Sequence, residues 1–120
     1  MHDYRFTKNH RLCSQHVFQH VYEQGKRVSS ALIRIHYLYS GEAHPPRLGI
    51  SVTRSVKHAV DRNKIKRRLR EIVRLHQGEF KPGSAMVIVA KQGTETMDYQ
   101  KLESVILEMM QRLGALKEKD

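Results

Sequence analysis

The sequence predicts a single α+β domain: one sheet of three to four strands with three helices, in the order α-β-β-β-α-β-α. Three observations predict it. Two stretches alternate apolar and polar residues at the period of a half-buried strand. Two longer stretches repeat apolar residues at i, i+4 and i+7, the period of a helix with one buried face. Residues 84–91 hold a run of Val, Ile, Ala and Met that is too short for a helix and suits a buried strand. A chain of 120 residues fits one compact domain over residues 1–120, and no repeat, low-complexity tract or linker divides it.

The elements follow in order. Residues 14–24 read as a short helix, with Ser14 suited to cap it, Val17, Phe18, Val21 and Tyr22 at helical spacing, and Gly25 as its stop. Residues 28–39 read as strand, with Ile33, Ile35, Tyr37 and Tyr39 on one face and Arg34 and His36 on the other. Residues 40–47, with Gly41, Pro45 and Pro46, form a loop. Residues 48–53 alternate again: Leu48, Ile50 and Val52 make a buried face, while Gly49, Ser51 and Thr53 leave a smooth face of small residues that another backbone can approach. Residues 60–77 give the clearest helix, seamed by Ile65, Leu69, Ile72 and either Leu75 or His76. After the buried strand, Asp98 can cap a last helix over residues 99–113, with Leu102, Val105, Ile106, Met109 and Leu113 inward and Gly114 at its end.

Composition removes several function classes. One cysteine cannot form an internal disulfide, so the secreted, cross-linked scaffold is excluded, and Cys13 has no activating neighbour in the sequence. Apolar runs reach about six residues against the ~18–20 needed to span a bilayer, and the polar, basic first eleven residues carry no secretory signal. A cytoplasmic protein with no membrane and no obligate protein partner is the expectation. The formal net charge is +10, which favours a polyanionic partner.

That charge is concentrated. Between residues 54 and 74 stand Arg54, Lys57, Arg62, Lys64, Lys66, Arg67, Arg68, Arg70 and Arg74 against Asp61 and Glu71, a net +7. With Ile65, Leu69 and Ile72 turned to the core, Arg62, Asn63, Lys66, Arg67, Arg70 and Arg74 fall largely outward, as like charges at i, i+3 and i+4. Such pairs each destabilise an isolated helix by about 0.2–0.5 kcal/mol, and phosphates of a nucleic acid would neutralise them. A basic surface helix of no particular function is the alternative. A membrane-surface helix fits poorly, because the apolar seam is narrow, lacks Trp and Phe, and is needed by the core.

These residues carry a family resemblance. The segment Arg47-Leu48-Gly49-Ile50-Ser51-Val52-Thr53-Arg54, followed by Ala59-Val60-Asp61-Arg62-Asn63-Lys64-Ile65-Lys66-Arg67-Arg68-Leu69-Arg70-Glu71, resembles the signature of the protein subunit of bacterial ribonuclease P. Arg11-Leu12 ahead of the first helix, and Phe18 with Tyr22 in it, agree with that pattern, which covers an ordered core of about residues 6–114. Lys64 stands where the family usually has Arg, keeping the charge but losing the planar fork. The pattern is loose at Arg68, and no role is carried onto it.

The resemblance implies an accessory subunit of a ribonucleoprotein endonuclease that removes the 5′ leader from precursor tRNA, with the chemistry and its Mg2+ residing mainly in the RNA. It implies a left-handed β-α-β crossover, against the usual handedness. It implies that Arg54, Arg62, Asn63, Lys64, Lys66, Arg67 and Arg70 face the catalytic RNA, and that a cleft between the first helix and the sheet holds the single-stranded leader. Stacking surfaces and a positive groove suit such a strand. Phe18 and Tyr22, at i and i+4, would project over the polar sheet face of Arg34, His36, Ser51 and Thr53, with Arg11 near the mouth; His36 replaces a more usual aromatic. Core packing on the sheet is the alternative for Phe18 and Tyr22.

Protein-borne chemistry has little support. The eight histidines are scattered, and the one i, i+4 pair, His16 and His20, lacks a Cys or carboxylate at zinc-site spacing. No acidic cluster could hold two metals, and no Gly-rich phosphate loop occurs. No catalytic residue and no metal ligand is therefore assigned to the protein. A ribosomal or RNP-assembly RNA-binding protein is the rival reading, since it would use the same basic helix without a leader cleft.

Overall fold

The computed structural model describes residues 15–41 and 46–117, with side chains from Gln19 onward. Its elements are α1 (Gln15–Gln24), β1 (Lys26–Ser29), β2 (Ile33–Tyr39), β3 (Arg47–Val52), α2 (Ala59–Leu75), β4 (Ser84–Ala90) and α3 (Tyr99–Arg112). One four-stranded sheet runs in the order β1-β2-β4-β3. β1–β2 and β2–β4 are antiparallel, and β3 pairs parallel to β4 across the α2 connection.

The centre of the sheet explains the layering. All seven residues of β4, Ser-Ala-Met-Val-Ile-Val-Ala, are buried. A strand apolar on both faces needs cover on both. Met86, Ile88 and Ala90 share one face with Ile33, Ile35, Tyr37, Leu48 and Val52, and α2 and α3 close over it with Ile65, Leu69, Ile72, Leu102, Ile106 and Met110. Ala85, Val87 and Val89 point the other way and receive Val21 of α1. Val21 is fully buried, and burial of one such side chain contributes about 1.5–3 kcal/mol. Tyr37 brings a hydroxyl into the larger core and bonds it to the Ser84 hydroxyl at 2.9 Å, so the buried polar group is satisfied.

Three expectations are corrected. The stretch over residues 28–39 is a hairpin and not one strand: Ser30 N–H donates to Ile33 O at 2.7 Å, and the Ser30 hydroxyl accepts from Ile33 N–H at 3.3 Å. A serine side chain makes the turn that Gly or Pro usually signals. The α2 seam ends on Val73, which is buried, whereas Leu75 is 46% exposed. His76, half-buried at the end of α2, places its ring between Glu79 and Glu103 of α3, with Nε2 at 3.1 Å from Glu103 Oε2. Asp98 is the N-cap of α3 by position but makes no side-chain capping bond.

Gly114 ends α3 as expected, with a left-handed φ of 75°. Gly25 is a glycine for another reason. A Cβ there would lie 2.5 Å from Val21 O and 2.6 Å from Tyr37 O, both backbone atoms, because the end of α1 is pressed onto β2. Gly25→Ala should therefore destabilise the fold by about 1–3 kcal/mol, the scale of overpacking a tight site. Urea unfolding checks this, and an unchanged midpoint would contradict the close approach.

Candidate nucleic-acid interface

Two surfaces emerge, one on each side of the sheet. The first is the outer side of α2 and the segment leading into it. Arg54, Lys57, Asn63, Arg67 and Arg70 are exposed and Lys66 is half-buried. Among the described residues the only α2 cation with an acidic partner is Arg74, which forks onto Glu71. Arg54, Lys57, Lys66, Arg67 and Arg70 have no carboxylate partner among the described residues, the condition under which a polyanion gains most by displacing counterions.

The expected set divides, however. Arg62 is not on the outward face: its guanidinium donates to Val52 O at 3.2 Å, Thr53 O at 3.1 Å and Val56 O at 3.2 Å. Lys64 is also half-buried and donates to Glu95 O at 3.2 Å. Arg68, to which the sequence assigned no role, donates to Met97 O at 2.9 Å. These bonds were invisible in the sequence because their acceptors are backbone carbonyls, which no residue type advertises.

The second surface lies where α1 crosses β2 and β4. Tyr22 and His36 stack with ring centroids 4.0 Å apart and planes at 22°. Arg34 reaches over them: its Nη2 donates to the Tyr22 hydroxyl, its Nε donates to His36 Nε2 at 3.0 Å, and its guanidinium carbon sits 5.6 Å from the Tyr22 ring centre. Tyr22 is 37% exposed and His36 only 3%. His36 thus supports the Tyr22 ring and is not itself an open stacking surface. Since His36 Nε2 accepts, the ring proton belongs on Nδ1, which is buried without a partner among the described residues.

Burial chiefly, then the positive charges of Arg34 and Arg27, lower the His36 pKa. Arg27 stands opposite His36 in the β1–β2 register. Sequence reasoning missed Arg27, because merging β1 into β2 hid the cross-strand neighbour. Ser51 is half-buried and pairs in register with Val89, on the α1 side of the sheet. The Thr53 hydroxyl turns to the Ser55 hydroxyl at 2.6 Å and so belongs to the turn ahead of α2. Arg11 and the Phe18 side chain lie outside the described residues.

Among the described residues no three His, Cys, Asp or Glu side chains lie together as a metal site, and no helix is long and apolar enough to cross a membrane. A model of the Ribonuclease P family matches residues 6–114. The chain belongs to the ribonuclease P protein component family. It is 38% identical over 113 residues to the ribonuclease P protein component of Xylella fastidiosa strain 9a5c, covering 93% of this chain and 82% of that protein. The Symbiobacterium thermophilum component is 37% identical over 109 residues, with 91% and 95% covered. Among solved structures, the RNase P protein of Staphylococcus aureus superposes with a TM-score of 0.80 at 25% identity, covering 90% of this chain and 98% of that one. The Thermotoga maritima RNase P protein gives 0.75 at 26%, covering 85% and 96%. The mixed α+β fold with one four-stranded sheet is thus that of the ribonuclease P proteins, and tRNA processing within a ribonucleoprotein is the setting this family supports.

Two histidines should titrate on opposite sides of the ordinary value of 6.5. His36 lies below it for the causes given above. For His76 burial opposes protonation, but hydrogen bonds and charge from Glu79 and Glu103 outweigh it and raise the pKa. His36 therefore adds stability that is complete above pH 6.5 and fades as pH falls towards its folded pKa; His76 adds stability below 6.5 that fades as pH rises through its own. NMR titration of the ring protons should order them His36 below His76, and Arg34→Gln should move His36 upward. The reverse order would contradict the described surroundings.

Proposed function

We propose that this chain is the protein subunit of a cytoplasmic ribonuclease P, binding the catalytic RNA with α2 and its leading segment and the 5′ leader of precursor tRNA with the α1 side of the sheet. The observation that carries this reading is the exposed Arg54, Lys57, Arg67 and Arg70 surface, lacking acidic partners among the described residues, in a member of this family. Asn63 and Lys66 sit on the same stretch and complete the contact. Arginine on this surface suits two-pronged recognition of phosphate oxygens.

The leader face works by a different force. The Tyr22 ring, held by His36 beneath and Arg34 at its hydroxyl, supplies a platform on which an unpaired base can stack, worth about 1–3 kcal/mol per base. Arg34 adds positive charge beside it, and Ser51 leaves room along the sheet. Phe18, in the same helix, is assigned to this face with Tyr22, and Arg11 to its mouth, by their family positions. A neutral His36 fits the task, since stacking beneath an aromatic ring needs no charge.

The endonucleolytic chemistry, and the Mg2+ that supports it, are placed in the RNA. This assignment is what the family resemblance implies. The protein then contributes substrate positioning and charge screening, both of which raise precursor affinity when Mg2+ is scarce.

Two measurements check the division of labour. In binding to a bacterial ribonuclease P RNA, Arg67→Ala with Arg70→Ala should lower affinity and flatten its salt dependence by about 0.7–0.9 in log–log slope per contact removed. In the assembled complex, Tyr22→Ala should weaken binding of precursor tRNA by roughly tenfold while leaving mature tRNA unchanged, as loss of one stacked base requires. Equal losses for precursor and mature tRNA would contradict a leader platform.

A further inference from the structure

We infer that Arg62 is a positioning residue, which fixes the segment carrying Arg54 and Lys57 and does not itself hold an RNA phosphate. The inference rests on the reading of α2 as the face for the catalytic RNA. Arg62 is in the first turn of α2 and turns back over the strand that precedes it. Nη1 bridges Thr53 O and Val56 O at 3.1 and 3.2 Å, and Nη2 takes Val52 O at 3.2 Å.

These three carbonyls lie at the end of the parallel ladder and in the turn just beyond it. Val52 is the last β3 residue paired with β4, Thr53 N–H makes one more bond to Ala90 O at 2.9 Å, and Val56 N–H returns to Thr53 O at 3.1 Å. Beyond them the ladder offers these oxygens no further partner, and His58, the N-cap of α2, makes no side-chain capping bond. One guanidinium, with the Val56 N–H bond to Thr53 O, therefore closes the turn. Its donors are fixed in a planar fork, so it can span three acceptors that a single ammonium cannot.

Arg54 and Lys57 lie in the turn that these bonds close, and both are exposed. The same turn is tied to the segment after β4, where Gln92 N–H donates to the Ser55 hydroxyl at 3.2 Å. Lys64 and Arg68 fasten that segment from α2 through Glu95 O and Met97 O. Arg62 commits three of its five N–H donors to backbone, whereas Arg67 and Arg70 are exposed. Its positive charge acts on the RNA through the placement of Arg54 and Lys57.

The test is a double-mutant cycle in binding to a bacterial ribonuclease P RNA. Arg62→Lys keeps the charge and loses the fork, and should weaken binding roughly tenfold, the scale of coupling between neighbouring groups. Added to the pair Arg54→Ala and Lys57→Ala, it should cost little more, because what it positions is already gone. Arg62→Lys binding like the wild type, or a loss that adds in full to that of the pair, would overturn the inference. Should Arg62→Lys not fold, the wild-type protein serves: arginine labelling by phenylglyoxal, read by mass spectrometry, should modify Arg67 and Arg70 quickly and lose both on RNA binding, with Arg62 slow in both states. RNA-dependent protection of a fast-reacting Arg62 overturns this inference alone; a wild-type chain that does not bind the RNA overturns the functional reading and this inference together.

Discussion

A strand that is apolar on both faces governs this molecule. β4 sits between β2 and β3 with every residue buried, and neither of its faces can be left to water. One face is closed by α2 and α3, the other by α1. The two covers are unequal: α2 and α3 lie over the larger apolar cluster, whereas α1 meets the sheet around Val21, Val87 and Val89. From that asymmetry come two working surfaces of different character. The outer side of α2 is free to carry charge because its inner side is already committed to Ile65, Leu69, Ile72 and Val73. The α1 side keeps polar and aromatic groups, Tyr22, Arg34 and His36, at the sheet because its own apolar cluster is small.

The positive charge of α2 serves two ends that its composition alone does not separate. Arg67, Arg70 and the leading Arg54 and Lys57 face solvent, where their mutual repulsion is a cost that the proposed RNA partner would remove. Arg62, Lys64 and Arg68 instead end on carbonyls of the two segments that flank the sheet at this end. Charge-assisted bonds to carbonyls add to the apolar anchors of these segments, Val56 and Met97. The helix fastens the turns beside it and, in the proposed function, is also the surface offered to the RNA.

Much of the fold was legible in the sequence, since period-2 and period-3.6 patterns depend only on which residues avoid water. β3, β4, α2 and α3 were readable for that reason, with ends within a residue or two. The break between β1 and β2 was not, because Ser30 makes its turn through backbone and hydroxyl bonds to Ile33 that a serine's identity does not announce. On the site, the concentration of charge between residues 54 and 74 could be read from residue order, and the Tyr22, Arg34 and His36 group was named from the family resemblance. That His36 is a buried support and Arg62 a clamp could not, because each depends on atoms distant in sequence: Tyr22 above the imidazole, and the carbonyls of Val52, Thr53 and Val56 around the guanidinium. Spacing along a chain places side chains on faces; it does not say which carbonyls will be there to meet them.

The central claim is that the chain contributes grip and placement to a reaction carried out on RNA. Its most direct test is cleavage of a leader-bearing precursor tRNA by a bacterial ribonuclease P RNA at low Mg2+, with and without the purified protein. The account predicts slow or undetectable cleavage by the RNA alone, a clear stimulation on adding the protein, and no cleavage by the protein alone. Absence of stimulation, or cleavage by the protein without RNA, would contradict it.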